Sequence, residues 1–512
     1  QAELNLEREV GSASFADVVE EGRTKWNSLL RRVEVEALND DRLRVFYTNL
    51  WRSMLFPRYL QEVNAQGEEV HFSPYKNEVL PGQLVTDSGF WDSYRTVYTL
   101  QSIISPDNLG RLVDGWVNAY NEAGWLPQWP SPGQRQSMVG SMGDFVLGDA
   151  IAKSKWGFVS GFNVTNAYEA IRKNAFVEGD GLYGRVGLKE YIDKGYVPES
   201  EFHDSGLLQA SAHTTTVAFA NVLTGGFSES VTRSQNYYIA DAAIARAAKM
   251  LGKHNDFDVL MARSQRYGVL FNNDTLYFQP RDTAGKFCGP FEPLAWRKGF
   301  TESSAWHNRF YITHDVSGLQ ELYRGRLCQR IEAMFSRTSG PAFKNTGFPI
   351  HEMTEAAAIQ ADFGLYAHNN QPVHHILWVA KKAGCNELAD RYLRKTMSKL
   401  YTLRGWVGDE DNGEMASWYV LSALGLHSLE GAVDEILLGS PAVTSATLHL
   451  QHGKVLKVAT ENQAEGNVYV RGVKWSPTGG PSRIITSNTF RYTELMGGGT
   501  LTFKMGSSPK RV

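Results

Sequence analysis

The sequence predicts a mainly α protein, with helices stacked as hairpins over residues 41–427 and a β-rich segment over residues 428–512. Three observations carry that reading. From about Asp41 to Gly425 apolar residues recur at three- and four-residue spacing: Phe46, Leu50 and Met54; Leu109, Leu112, Trp116 and Tyr120; Leu388, Tyr392, Leu393, Met397 and Leu400. That period lines up side chains along one face of a helix. Between these stretches lie breakers such as Asn121-Glu122-Ala123-Gly124, and Gly384 after the run Trp378 to Ala383, which end one helix and begin a connection. After Gly425 the texture changes to short β-rich runs, Thr447 to Leu450, Val455 to Val458, Val468 to Val470 and Thr500 to Phe503, separated by Gly, Pro and Asn turns. Residues 1–40 are assigned to a linker and a leading helix. The C-terminal run is long enough only for a small sheet, and its strands need partners that an N-terminal sandwich outside this sequence would supply.

At 512 residues the chain has ample length for a large core. Its 52 basic and 55 acidic residues are interspersed and leave a net charge of -3, which offers no footprint for nucleic acid or an anionic membrane. An uncharged partner is expected. No stretch approaches a membrane-spanning apolar run. Gln1-Ala2-Glu3-Leu4 carries no apolar signal region, so the chain is expected to be soluble and to begin after processing. Asn163-Val164-Thr165 and Asn273-Asp274-Thr275 satisfy the glycosylation acceptor rule and tilt the reading towards a secreted or lumenal protein. Cys288, Cys328 and Cys385 allow at most one internal disulfide. The glycine-rich runs Val177 to Gly181 and Gly225-Gly226 lack the phosphate-loop lysine and read as turns.

The most informative segment is Gly408-Asp409-Glu410-Asp411-Asn412-Gly413-Glu414, four acids at the start of a helix that continues to Gly425. In an extended loop Asp409 and Asp411 point the same way, close enough to hold a water; equally, acids before a helix serve as caps and suit its dipole. Upstream, Glu302 sits four residues from Trp306, where burial against an indole would raise its pKa towards that of a general acid; a solvated glutamate is the alternative. Two carboxylates from distant segments are what glycoside hydrolysis needs, one to protonate the leaving oxygen and one to handle water or the sugar. A separation of about 6.5–9.5 Å leaves room for that water and predicts inversion, whereas about 5–5.5 Å predicts a covalent route.

Gly89-Phe90-Trp91-Asp92-Ser93-Tyr94-Arg95 groups an aromatic, a carboxylate and a guanidinium as a sugar subsite would, or as a buried Asp92–Arg95 ion pair would. Trp125 to Pro130 offers a second aromatic loop with the same two readings. His351-Glu352-Met353-Thr354-Glu355 lacks the second histidine of a zincin helix, and His374 and His375 diverge on a helix, which argues against zinc. Oxygen donors such as Glu355 and Gln371 suit a hard cation like calcium, or simply a solvated loop.

Taken together and in order, Phe90 to Thr96, Val139 to Asp144, Thr301-Glu302 with Ala305-Trp306, His351 to Glu355, Asn370-Gln371-Pro372 with His374-His375, and Gly408 to Gly425 resemble glycoside hydrolase family 92 over nearly the whole chain. The resemblance implies exo-acting, inverting, calcium-dependent α-mannosidases built on an (α/α)6 barrel behind an N-terminal β-sandwich. Position by position, Glu302 matches the general acid, Asp411 the general base and Asp409 its assisting carboxylate. Asp92 matches a residue that holds the terminal mannose, with Trp91, Arg95 and Trp306 beside it, and His351-Glu352 matches the dipeptide of α-1,2-linkage cutters. Glu355, Gln371 and Asn370 are the candidate Ca2+ ligands, and a mannose-containing glycan is the expected partner. The chain departs from the family pattern at Ser303-Ser304, usually Gly-Asn; at His307, often Gln; at Met142, commonly His; and at Gln371, frequently Glu. An idle glycan-binding or assembly subunit, or an α-glucoside-cleaving relative of the same fold, are the competing expectations.

Overall fold

The computed structural model describes residues 1–135, 137–199, 227–340, 343–344 and 350–509; Gly225-Gly226 lie outside them. Helices dominate up to residue 423: α1 (Phe15–Leu30), α2 (Asp40–Arg52), α3 (Val97–Ile104), α4 (Pro106–Ala123), α5 (Gly143–Lys155), α6 (Val164–Phe176), α7 (Ser230–Met250), α8 (His254–Ser264), α9 (Leu327–Ser336), α10 (His351–Phe363), α11 (Ile376–Lys382), α12 (Asn386–Leu400) and α13 (Glu414–Ala423). Local chemistry sets their ends. Asn39 caps α2 by accepting from the Arg42 N–H, α4 starts with Pro106 in its first turn and stops at Gly124, which adopts a left-handed φ of +74°, the residues those positions favour. The expected stripes are buried: Leu109, Leu112 and Trp116 on α4, and Leu388, Leu393 and Met397 on α12. Helix α7 is buried nearly all round, as a helix enclosed by others must be.

Sequence neighbours pack as pairs, α3 with α4, α5 with α6, α7 with α8 and α11 with α12. The last helix, α13, packs on α2 and α3 and so closes the helical part on its own beginning. Cys328 on α9 is joined to Cys385, just before α12, in a disulfide, in which Cys288 takes no part. The Val177 to Gly181 run is a loop whose Asp180 side chain accepts from the Leu182 and Tyr183 N–H groups. Among the described residues no helix is long and apolar enough to cross a membrane.

A buried charge network ties α5, α7 and α8. Arg185 donates to Asp144 (3.0 Å), Asp241 (2.6 Å) and Ser141 (2.9 Å), and Arg263 meets Asp241 at 3.1 Å; the Arg185, Asp144 and Asp241 side chains are wholly inaccessible.

The C-terminal sheet has six strands: β1 (Val33–Glu36), β2 (Ser445–His449), β3 (Val455–Glu461), β4 (Tyr469–Pro477), β5 (Arg483–Ile485) and β6 (Gly499–Gly506), in spatial order β1-β2-β3-β6-β4-β5. One strand differs from the sequence reading. Val33–Glu36, placed in the N-terminal linker, pairs antiparallel with Ser445–Leu448; four residues are too short for a period-two pattern to stand out beside flanking helices. The sheet also finds its apolar cover within this chain. Ala446, Leu448, Leu456, Val458, Trp475, Leu501 and Phe503 join one core cluster with Leu388, Leu393 and Met397 of α12, while Lys457, Lys474 and Lys504 alternate to the solvent face.

Candidate active site

Three loops meet around Glu302 and Asp411. Asn370 and Gln371, adjacent in sequence, each hold one of them: Asn370 Nδ2 donates to Glu302 Oε2 (3.1 Å) and to its carbonyl (3.3 Å), and Gln371 Nε2 donates to Asp411 Oδ2. Gly408 lies against Asn369, where an added Cβ would stand 2.0 Å from the Asn369 carbonyl oxygen, so only glycine permits that approach. Asn412 Oδ1 accepts from the Gly89 N–H (2.9 Å), and Thr96 Oγ1 donates to the Glu414 carbonyl (3.0 Å), which brings in the Gly89–Arg95 segment. The two carboxylates predicted from distant segments are therefore brought together.

Both sit on strained backbone. Glu302 has φ +46° and Asp411 φ +52°, followed by Asn412 at +56°, a region that non-glycine residues occupy only where surrounding structure over-determines it. For Glu302 the determinants are Ser303, Ser304 and His307. Ser303 Oγ accepts from Asn308 Nδ2 (2.6 Å) and donates to the Thr301 carbonyl (2.7 Å); the Ser304 N–H meets His307 Nδ1 (3.3 Å), and His307 Nε2 reaches the Leu365 carbonyl (3.1 Å). Ser303, Ser304 and His307 are buried. They brace the turn that presents Glu302.

Burial pushes Glu302 up to about 7 against the Asn370 hydrogen bond, with Glu352 adding to the rise and Arg297, 3.7 Å away, opposing it. Burial and then the negative field of Glu302 push Asp411 up to about 7, with the Gln371 amide opposing. Asp92 is held well above the usual carboxylate range by burial, Asp411 and Glu302. Three carboxyl groups thus share one poorly solvated space, a setting in which some retain protons near neutrality.

The four acids of the 408–414 segment part ways. Glu410 is the cap: its carboxylate accepts from the Gly413 N–H (2.6 Å) and the Ala416 N–H (3.4 Å), and burial pushes it up to about 8. Glu414 is wholly buried and bonded to His374 Nδ1 at 2.8 Å. Asp409 does not point with Asp411. Its side chain is 70% exposed and meets His351 Nε2 at 3.1 Å, because the left-handed residue at 411 breaks the extended geometry on which two-residue alternation depends.

The remaining candidates divide in the same way. Trp91 is not an open platform: it is 2% exposed, with the Arg95 guanidinium 5.0 Å above its ring. Trp129, half-buried, is the aromatic beside Asp92; a Cβ at Gly89 would stand 2.4 Å from its ring and 2.9 Å from Asp92 Oδ2. Arg95 donates to the Trp91 carbonyl (3.1 Å) and to the Tyr311 hydroxyl, and among the described residues it forms no carboxylate ion pair, so the Asp92–Arg95 pair is not made. Trp306 packs edge-on to Tyr277 (5.7 Å) with Arg309 over its ring (4.9 Å); the indole is committed to that cluster. His351, 59% exposed, lies 3.4 Å from Glu352, and its pKa is raised: burial works against its charge, but Asp409 and Glu352 outweigh it. Arg297 and Asn412 were not singled out from sequence; the only signal for Asn412 was its place between Asp411 and a glycine.

Among the described residues no three His, Cys, Asp or Glu side chains gather as a metal cluster. A cation here would lean on amide oxygens, and buried ones without hydrogen-bond partners exist: Gln371 Oε1 and Asn369 Oδ1, with Glu352 Oε2. Glu355 adjoins them through Asn369 Nδ2 (3.4 Å), whereas Asn370 Oδ1 is occupied by the Gln371 N–H (3.1 Å). This donor set is chemically suited to a hard cation.

The chain is similar over nearly its whole length to known proteins. A GH92 inverting mannosidase of Bacteroides thetaiotaomicron is 32% identical, with a TM-score of 0.84 over 99% of this chain and 65% of its own. A second GH92 α-mannosidase of that organism, also solved with mannoimidazole, is 22% identical, with a TM-score of 0.82 over 99% of this chain and 61% of its own. An uncharacterized secreted glycosidase of Arthroderma benhamiae is 22% identical over 99% of this chain and 59% of its own length. The chain thus spans less than two thirds of these relatives. The family model for the glycosyl hydrolase family 92 catalytic domain matches residues 1–507, and the chain belongs to that family.

Proposed function

We propose that this chain is the catalytic part of an exo-acting, inverting α-mannosidase that releases terminal mannose from mannose-capped glycans. The observation that supports it most is the pairing of Glu302 and Asp411, two strained, largely buried carboxylates held through the adjacent amides of Asn370 and Gln371. In this reading Glu302 protonates the leaving oxygen and Asp411 takes the proton from the attacking water, across a gap wide enough for one solvent molecule. Asp92 accepts from sugar hydroxyls beside Trp129. Asp409 acts from the rim, adding its field to Asp411. Closure of α13 on α2 and α3 supports reading the helical part as an (α/α)6 barrel. The greater length of the relatives supports a further N-terminal β-sandwich, on this polypeptide or a separate one. The Cys328–Cys385 disulfide and the likeness to a secreted glycosidase support a secreted or lumenal setting. Hydrolysis of an α-mannobiose but not of an α-glucobiose, with β-mannose as the first product by NMR, tests the activity; equal rates on both would reject it.

The pair sets the pH dependence. Productive enzyme carries one proton, on the acid and not on the base, so kcat/KM is expected to rise as Asp411 ionises and to fall as Glu302 does, a bell centred near pH 7 whose two apparent values belong to the pair. With Glu302→Gln and an activated aryl mannoside the alkaline limb should vanish. A profile flat from about pH 5 to 9 would exclude the arrangement.

Calcium is proposed as the resident cation, with Glu355, Gln371 and Asn370 among the groups that would hold it and Asn369 as a further oxygen. When bound it would supply positive charge near the sugar hydroxyls and favour ring distortion. A calcium chelator is expected to lower activity and added calcium to restore it; full activity after exhaustive chelation, with calcium absent by elemental analysis, would remove the cation from the scheme.

His351-Glu352 supports α-1,2 linkage preference, since His351 stands exposed at the rim where a leaving sugar would lie. His351→Ala is expected to reduce the ratio of α-1,2 to α-1,3 cleavage by about tenfold, the effect of one or two hydrogen bonds, while leaving KM for an aryl mannoside unchanged. An unaltered ratio would place the selectivity elsewhere.

A further inference from the structure

Arg95 has a second environment besides its contacts with Trp91 and Tyr311. It lines a small cavity with Thr313, His375 and His427, beside the apolar side chains of Phe145 and Leu429, with room for one water-sized sphere whose centre has about 10 Å³ to move in. The polar groups around this space are unspent. Arg95 Nη1, Thr313 Oγ1 and His427 Nδ1 are buried and make no hydrogen bond, and neither ring nitrogen of His375 makes a well-formed one, although one faces the backbone of Phe310. All four residues are at least nine-tenths buried.

Charge decides what such a space would take. The Arg95 guanidinium cannot deprotonate, and among the described residues no carboxylate lies within ion-pair distance of it. The nearby Glu414 is committed to His374 at 2.8 Å, and Asp92 is biased by burial towards its neutral form. Arg95 feels the negative fields of Glu414 and Asp92 without touching either, so its Nη1 N–H stays unbonded in a buried place, and a guest of opposite charge removes that cost. The other lining groups are able to donate as well. A threonine hydroxyl rotates to suit its partner, and a neutral imidazole offers one N–H; burial holds His427 down to about 3 and His375 well below its ordinary value, so both are neutral. A metal cation is disfavoured by Arg95, and a polyatomic oxyanion exceeds the space.

We propose that this cavity is a binding site for one small monovalent anion of the halide class, chloride in ordinary media, held by Arg95 Nη1, Thr313 Oγ1 and the imidazole N–H of His427. The anion neutralises Arg95 and fixes the guanidinium that stacks on Trp91, one turn of chain from Asp92. The site is independent of the hydrolytic reading, because its occupancy is measurable without substrate.

The test uses the whole chain exchanged into gluconate and titrated with sodium chloride or bromide at constant ionic strength. Tm is expected to rise with halide and saturate, as binding to the folded state alone requires, and crystals grown in bromide should give an anomalous peak within hydrogen-bond distance of Arg95 Nη1. Thr313→Val is expected to raise the half-saturating halide concentration by about tenfold, the loss of one hydrogen bond to a charged guest, with Tm in gluconate unchanged. Ordinary water density with no anomalous signal would overturn the proposal. So would a bromide peak without a halide response in solution, which is binding at crystal concentration only.

Discussion

Asp411→Asn is expected to lower mannoside hydrolysis about 10³-fold whatever the leaving group, because activating water is required for every substrate and a positioned base contributes about 10²–10⁴. Glu302→Gln should behave differently, losing a similar factor on a disaccharide and little on a mannoside whose leaving group needs no proton. The contrast follows from the structure: each carboxylate hangs on its own amide, Asn370 for Glu302 and Gln371 for Asp411, so either can be neutralised without dismantling the other. Steady-state kinetics on α-mannobiose and a dinitrophenyl mannoside would read both variants. An Asp411→Asn enzyme as active as the parent, or an acid variant equally impaired on both substrates, would reverse the assignment.

Arg185→Met is expected to destabilise the fold by about 3–5 kcal/mol, the cost of leaving buried carboxylates without their partner. Asp144 and Asp241 both lose their contacts of 3.0 and 2.6 Å with this guanidinium, and both side chains are wholly inaccessible. Urea unfolding would measure it through the midpoint, with the slope unchanged. A loss below about 1 kcal/mol would mean that Arg263 alone satisfies Asp241 and that Asp144 takes up a proton.

The helical stripes were legible because they depend on three- and four-residue spacing: Leu109, Leu112 and Trp116 are buried where the pattern placed them. Glu302 and Asp411 were legible as motif positions, and the structure brings them together. What failed were inferences that needed direction. Asp409 and Asp411 diverge because φ at 411 is positive, and Trp91 is buried beneath Arg95 rather than open to a ligand. Val33–Glu36 became a strand because its partners lie more than 400 residues away, at 445–448, a distance at which local propensity is silent.

Local composition and periodicity by themselves determined the mainly helical class, the β-rich end and the acidic residues worth testing, since those properties are written in neighbours a few positions apart. Only the tertiary structure decided which acid caps α13, which faces His351, and which one joins Glu302 and Asp92 in a common, poorly solvated space. Burial and electrostatic coupling arise from contacts between distant segments, and both are set when α13 closes on α2 and α3.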